Sequence, residues 1–217
     1  MAGPADRLTE PAEPAPWSVT LPGAKAGLHF RPADPAAEAD VDLLHDWLHR
    51  PHVAPWWGPD RDRDETRAYL ARQRGSGHLV PWIVSAVDLD DGRHRPFGYT
   101  ETYRPADDPL ADWFPVRATD QGWHVLVGPD EAIGSGLPRL LGRAVLAHLF
   151  SDPTVERVIC EPNELNTRMH GYCKALGYDV VAAVDLPDKR ALILACTRAT
   201  FEARWPGDLD ALTRDRG

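Results

Sequence analysis

The residues with the clearest chemical meaning lie between positions 123 and 139, in the run WHVLVGPDEAIGSGLPR. An alternating apolar stretch ends at Val127, a polar loop follows, and Gly134-Ser135-Gly136 opens a segment of helical periodicity. A helix start leaves backbone N–H groups without partners and carries partial positive charge. Glycine lets a backbone approach an anion closely, because no Cβ intervenes. A strand feeding such a turn is therefore a place for a pyrophosphate, although the same turn also serves simply to enter a packed helix. Neither nucleotide fingerprint is complete. Arg139 stands where the dinucleotide motif needs its third glycine, and no Gly-Lys-Ser/Thr is present. His124 lies on the strand leading into the turn, and the unperturbed pKa of histidine, near neutrality, suits a proton acceptor or a substrate-orienting group. A strand histidine can equally be a hydrogen-bonded core residue.

Composition narrows the class. The chain has 217 residues, 43% hydrophobic and 26% charged, enough for one domain with a real core. Eight tryptophans are many for this length; Trp56, Trp57, Trp82, Trp113 and Trp123 line a cleft or pack a core. A net charge of -9 argues against non-specific nucleic-acid binding, which needs a basic face. The three cysteines are odd in number and set in apolar segments, so they form neither a disulfide framework nor a zinc pattern. No metal cluster, membrane span or signal sequence is visible, and a soluble, reduced, cytoplasmic setting is expected.

The elements that must position these groups follow from periodicity. Residues 1–16 are Pro/Ala-rich and acidic and read as a flexible tail. Strands are predicted at 17–21 and 27–31, then a helix from Asp40, its expected N-cap, to Pro51. An aromatic loop, PHVAPWWGPD, precedes a second helix over 64–74, capped by Asp62 or Asp64. Strands at 81–88 and 96–103 flank an Asp91-Gly92 hairpin turn. Residues 104–121 read as a long loop, 123–127 as a strand and 134–150 as an amphipathic helix. A buried strand at 157–160, a helix at 166–176 and strands at 179–186 and 190–197 follow. A final helix at 200–205 breaks at Pro206, leaving 207–217 as a C-terminal tail. This order predicts an α+β (mixed α/β) domain over 17–206.

Two motifs then resemble the GNAT superfamily of acyl-CoA N-acyltransferases. Residues 131–136, EAIGSG, are similar to its [Arg/Gln]-x-x-Gly-x-[Gly/Ala] pyrophosphate turn, with Glu131 replacing the basic or amide residue; Arg139 or Arg143 would compensate. The segment CEPNELNTRMHGYCKALGYDVV resembles the superfamily's acid-Pro…Asn…Tyr…Gly-Phe segment. Glu161-Pro162, Asn166 and Gly177-Tyr178 match, but Cys173 occupies the place of the tyrosine that protonates departing CoA. Tyr172, one residue earlier, points roughly 100° away on a helix. The resemblance implies a central, mostly antiparallel twisted sheet flanked by helices. It also implies acetyl-CoA or another acyl-CoA as cosubstrate, without metal.

Three further segments resemble the siderophore-biosynthesis branch: HVAPWWG (52–58), GYTETYR (98–104) and DQGWHVLVGP (120–129). That branch acylates amines or hydroxylamines of small molecules, and it places a functional histidine at His124. Its acid after Glu-Pro is here Asn163, which orients but accepts no proton. Either His124 acts without a carboxylate, or Glu101 or Asp120 serves. Implied cofactor contacts are Val125, Val127, Gly134, Ser135, Gly136, Leu137, Arg139, Asn166 and Cys173; implied substrate contacts are Trp56, Trp57, Glu101, Tyr103 and Asp120. The acyl group stays open, as does monomer or homodimer. An aminoglycoside-type acetyltransferase remains an alternative. So does a non-catalytic CoA-binding domain, which the replacements at Glu131, Asn163 and Cys173 would suit.

Overall fold

The computed structural model describes residues 14–58 and 61–215. The predicted N-terminal tail lies largely outside these residues. Eight strands form one sheet: β1 (Trp17–Val19), β2 (Gly27–Pro32), β3 (Leu79–Val87), β4 (His94–Tyr103), β5 (Gln121–Val127), β6 (Arg157–Cys160), β7 (Asp179–Asp185) and β8 (Arg190–Thr197). Their spatial order is β1-β2-β3-β4-β5-β6-β8-β7. Every neighbouring pair is antiparallel except β5 and β6. The expected α+β class and mostly antiparallel sheet are therefore observed.

Helices α1 (Glu38–Leu48), α2 (Ala54–Trp57) and α3 (Arg63–Gly75) precede the third strand; α4 (Leu137–Phe150), α5 (Thr167–Leu176), α6 (Arg198–Arg204) and α7 (Asp208–Asp215) follow the fifth. Two apolar layers result. One joins Val41, Leu44 and Trp47 of α1 and Leu70 of α3 to Ile83, Tyr99 and Leu126. The other joins Leu141, Val145 and Phe150 of α4 and Leu176 of α5 to Phe30, Val84 and Val158. Strand β3 lies between both layers and reads LVPWIVSAV, the near-continuous apolar run of a strand covered on both faces.

Several expectations are corrected. Helix α1 begins two residues earlier than its predicted start, with Ala37 at the N-cap. Asp40 is not a cap: it is buried and holds Arg31 in two hydrogen bonds of 2.5 and 2.6 Å. The aromatic loop contains the short helix α2. Asp62 does cap α3, in a reciprocal capping box with Glu65. Helix α4 starts at Leu137, after the glycine turn instead of within it. The predicted C-terminal tail is helix α7 over most of its length. Asp208 is wholly buried and pairs with Arg143 at 2.7 and 2.9 Å, and Ala211 and Leu212 pack into the core. Arg143 is thus committed to the fold and is not available to a phosphate.

Candidate active site

Strands β5 and β6 pair at only two positions, Gln121 with Val158 and Gly122 with Ile159, and then part. A cleft of about 500 Å³ fills the gap, with Trp123, His124 and Val125 on one wall and Cys160, Glu161 and Asn163 on the other. The Gly128 N–H bonds back to Phe97 on β4 at 3.0 Å. Strand alternation then directs the backbone groups of Val125 and Val127 away from β4, toward the gap. The Val127 carbonyl is taken by His52 Nε2 at 2.8 Å. The parting of two parallel strands, with no bulge in β5, is what exposes backbone here.

His124 stands at the centre. Glu101 lies directly opposite it in the β4–β5 register, so both side chains leave the same face of the sheet. His124 Nδ1 is 2.9 Å from Glu101 Oε2, and Nε2 is 2.7 Å from Glu161 Oε1. Two carboxylates facing two ring nitrogens require both nitrogens to donate, which makes the ring an imidazolium. Burial works to lower its pKa, but the charge of Glu161 and the hydrogen bonds to both carboxylates outweigh it, and the pKa rises to about 10. For Glu161, burial works upward, but His124 and then Lys189 and Tyr103 pull the carboxyl down to about 2. Glu101 is likewise lowered against its burial, through His124, Tyr69 and Tyr99. His124 therefore departs from the ordinary histidine pKa near neutrality, and in this geometry both ring nitrogens donate hydrogen bonds.

Three tyrosines complete the network. Tyr69 of α3 and Tyr99 of β4 donate to Glu101 Oε1, the latter at 2.7 Å, and Gln73 adds a 3.3 Å contact. Tyr103 donates to Glu161 Oε2 at 2.7 Å and stacks on the His124 ring at 4.8 Å. Burial, reinforced by the neighbouring carboxylates, keeps all three phenols well above their ordinary pKa, so they remain donors. Tyr103 is thus a support for Glu161 and His124 from beneath and does not line the cleft. Trp57 meets both Tyr99 and His124 edge-on, and with Trp56 it walls the cleft.

A second cavity of about 250 Å³ continues from the first, sharing Trp56, Trp57, Val125, Asn166 and Met169. It reaches Val127 and Gly134. Gly134 and Gly136 have φ of 79° and 93°, in the region that excludes most side chains, and space above both is open. The Ser135 hydroxyl bonds Ala132 O at 2.7 Å and accepts from Leu137 N at 3.2 Å, so its role is to shape the turn. Among the described residues nothing accepts from the amides of Gly134 and Gly136, and both residues are exposed, as is Arg139. Arg168 lines this cavity too, and the sequence reading did not single it out.

Other expected site residues take different places. Asp120 is 1% exposed and is clamped by Arg157 at 2.5 and 2.9 Å, away from the cleft. It anchors β5 to β6 and does not line the cleft. Asn163 lines the cleft, but its Oδ1 caps the turn at Leu165 N, 2.9 Å away, while the ring nitrogens of His124 are held by Glu101 and Glu161. Asn166 lines both cavities while its Oδ1 caps α5 at Met169 N. Cys173 is buried with its Sγ 3.6 Å from that of Cys160. The hydrogen bond between the two thiols, with burial, pushes the Cys160 thiol well up, so Cys160 is not a thiolate nucleophile. Tyr172 donates to Pro138 O at 2.7 Å and faces the second cavity. Glu161, Tyr69, Gln73, Arg61 and Lys189 were not singled out as site residues. Only Glu161 carried a signal, its place before Pro162.

No helix among the described residues is long and apolar enough to cross a membrane, and no cluster among them could hold a metal ion. The family model described as an acetyltransferase (GNAT) domain matches residues 36–186. The chain is 29% identical to N-hydroxyputrescine acetyltransferase of Acinetobacter baumannii, over 75% of this chain and 74% of that one. It is 28% identical to lysine N-acyltransferase MbtK of a Mycobacterium species, over 92% and 78%. An aminoglycoside N(6′)-acetyltransferase of Klebsiella pneumoniae is also 28% identical, over 76% and 82%. Among solved structures, an uncharacterized protein of Bacillus halodurans superposes with a TM-score of 0.80 and 31% identity, over 90% of this chain and 97% of that one.

Proposed function

This chain belongs to the acetyltransferase (GNAT) family and is an acyl-CoA N-acyltransferase, and we propose that its acceptor is the hydroxylamine nitrogen of a small molecule, acylated to a hydroxamate in siderophore assembly. One observation carries this reading. Both nitrogens of His124 are engaged by carboxylates, so the imidazole has no free lone pair to take a proton, and the two carboxylates that hold it are lowered in pKa and therefore weak bases. An alkylammonium acceptor would have to lose its proton first; at pH 7 only roughly one in 2,500 such groups is neutral. A hydroxylamine is largely neutral at that pH and attacks without help. Similarity to N-hydroxyputrescine acetyltransferase supports the reading.

The acyl-CoA pyrophosphate would lie on the amides of Gly134 and Gly136, with Arg139 near. The pantetheine would run through the second cavity along Val125 and Val127, past Asn166. The thioester then comes to the gap between β5 and β6. The acceptor nitrogen attacks the carbonyl carbon, the C–S bond breaks, and a backbone N–H of the parted β5 stabilises the oxyanion. His124 gives its proton to the leaving thiolate, and the proton shed by the new amide nitrogen restores the imidazolium. Glu101 and Glu161 hold the ring in place for both transfers.

The test is release of free thiol from acetyl-CoA or succinyl-CoA with N-hydroxycadaverine, N6-hydroxylysine, N5-hydroxyornithine, lysine and an aminoglycoside. Release with a hydroxylated acceptor, lost in His124→Ala, supports the reading. Release only with the aminoglycoside overturns the acceptor, and CoA binding without any release overturns catalysis.

A further inference from the structure

The cleft carries a cation that acyl transfer to a simple amine does not use. Arg61 lines it beside Tyr69, Gln73 and Glu101. Its guanidinium lies over the Tyr69 ring, 4.4 Å from the centroid. Its Nη1 is fully buried and has no hydrogen-bond partner. Such a group is costly, because burial removes its water and nothing takes that water's place. Arginine cannot relieve the cost by losing its proton. Other partly buried arginines are satisfied: Arg31, Arg143 and Arg157 each close an ion pair with Asp40, Asp208 and Asp120. Arg61 forms none among the described residues.

The charges of the cleft sharpen the point. Lys189 stands on the far wall, with Nζ 3.9 Å from Glu161 Oε1. With His124 as an imidazolium, Arg61, Lys189 and His124 balance Glu101, Glu161 and Asp188. Glu101 and Glu161 are already committed to His124 and the tyrosines. The open donor of Arg61 therefore awaits an acceptor from outside the chain, and a balanced cleft offers little to a polycation.

We propose that Arg61 binds a carboxylate carried by one of the two reactants, either the α-carboxylate of an amino-acid acceptor or the distal carboxylate of a dicarboxylic acyl group. A planar guanidinium with free N–H groups matches a carboxylate in geometry and charge. The inference rests on the acyl-transfer reading of the cleft and names a chemical feature of what enters it.

The experiment measures kcat/KM for four reactant pairs. N6-hydroxylysine and N-hydroxycadaverine differ only by the carboxylate; succinyl-CoA and acetyl-CoA supply the matching contrast on the donor side. Wild type should prefer the carboxylate-bearing member along one of the two axes by roughly 10- to 100-fold. Arg61→Gln should collapse that ratio, and Arg61→Lys should restore part of it. The axis that shows the preference identifies the reactant. No preference along either axis, or a preference that survives Arg61→Gln, overturns the proposal. If no pair turns over, the acyl-transfer reading fails by itself. Tryptophan fluorescence then decides the carboxylate question, with lysine against cadaverine and succinyl-CoA against acetyl-CoA. Tighter binding of a carboxylate-bearing member that Arg61→Gln removes supports the proposal; equal affinities in both proteins overturn it.

Discussion

Glu101 and His124 are cross-strand partners in the β4–β5 ladder, and their side chains meet at 2.9 Å. The sheet itself thus builds half of the site, and Glu161, just past the end of β6, supplies the other half where the two strands part. Removing the histidine leaves two buried carboxylates without their cation. His124→Ala should lower the rate of acyl transfer at least about 100-fold. It should also cost about 2 kcal/mol of stability, a value kept below that of a fully buried pair because the ring is 32% exposed. Steady-state kinetics and denaturant unfolding check both.

Stability should depend on pH in two windows. His124 keeps its proton up to about 10 in the folded state, against 6.5 when unfolded. Its contribution is fully present below pH 6.5 and is lost as pH rises toward 10. Glu161 titrates near 2 instead of 4.5, so its contribution is present above pH 4.5 and is lost as pH falls toward 2. Unfolding free energy should therefore decline above pH 6.5, and that slope should be much reduced in His124→Ala.

Gly122 faces the Tyr103 ring so closely that a methyl group there would collide with it. Gly122→Ala should displace the ring that supports Glu161 and stacks on His124. A loss of about 1–3 kcal/mol is expected from overpacking, together with a fall in kcat. Unaltered kcat would show that Tyr103 does not hold the pair in position.

At the turn of Gly134 and Gly136 the strain is conformational, since no neighbour lies near either glycine. Gly136→Ala, at φ 93°, should cost about 1 kcal/mol locally. It should raise KM for acyl-CoA several-fold and leave the acceptor KM little changed. Titration of each reactant separately distinguishes the two.

Asp120→Asn tests a correction. The Arg157 pair is nearly inaccessible, and breaking it should destabilise by about 3 kcal/mol. The KM of the acceptor should stay close to that of wild type, as befits a residue that ties β5 to β6.

Much of this arrangement was legible in the residues. Alternation marked β4 and β5, Gly134-Ser135-Gly136 marked the turn into α4, and the resemblance singled out His124, Glu101 and the two tryptophans at 56 and 57. Register was not legible: nothing in GYTETYR and WHVLV says that Glu101 and His124 stand opposite, because that depends on the loop joining the strands. Glu161 read only as a landmark before Pro162, since a carboxylate's partner across a gap leaves no periodic trace. Helix α7 was missed for a related reason. Its charged residues resemble a solvated tail until Asp208 is seen against Arg143, 65 positions earlier. Asp120 misled because an acid beside a functional strand looks the same whether it serves substrate or scaffold.

The most direct test of the central claim compares an amine with its own N-hydroxylated form at pH 7. Lysine against N6-hydroxylysine and cadaverine against N-hydroxycadaverine would each be offered with acyl-CoA, with the products followed by mass. A cleft whose histidine is already protonated should favour the hydroxylated member by at least about 100-fold, with one acyl group on its nitrogen. Equal or faster acylation of the parent amines would contradict the account, because it would require a stronger base than the two carboxylates that hold the protonated His124.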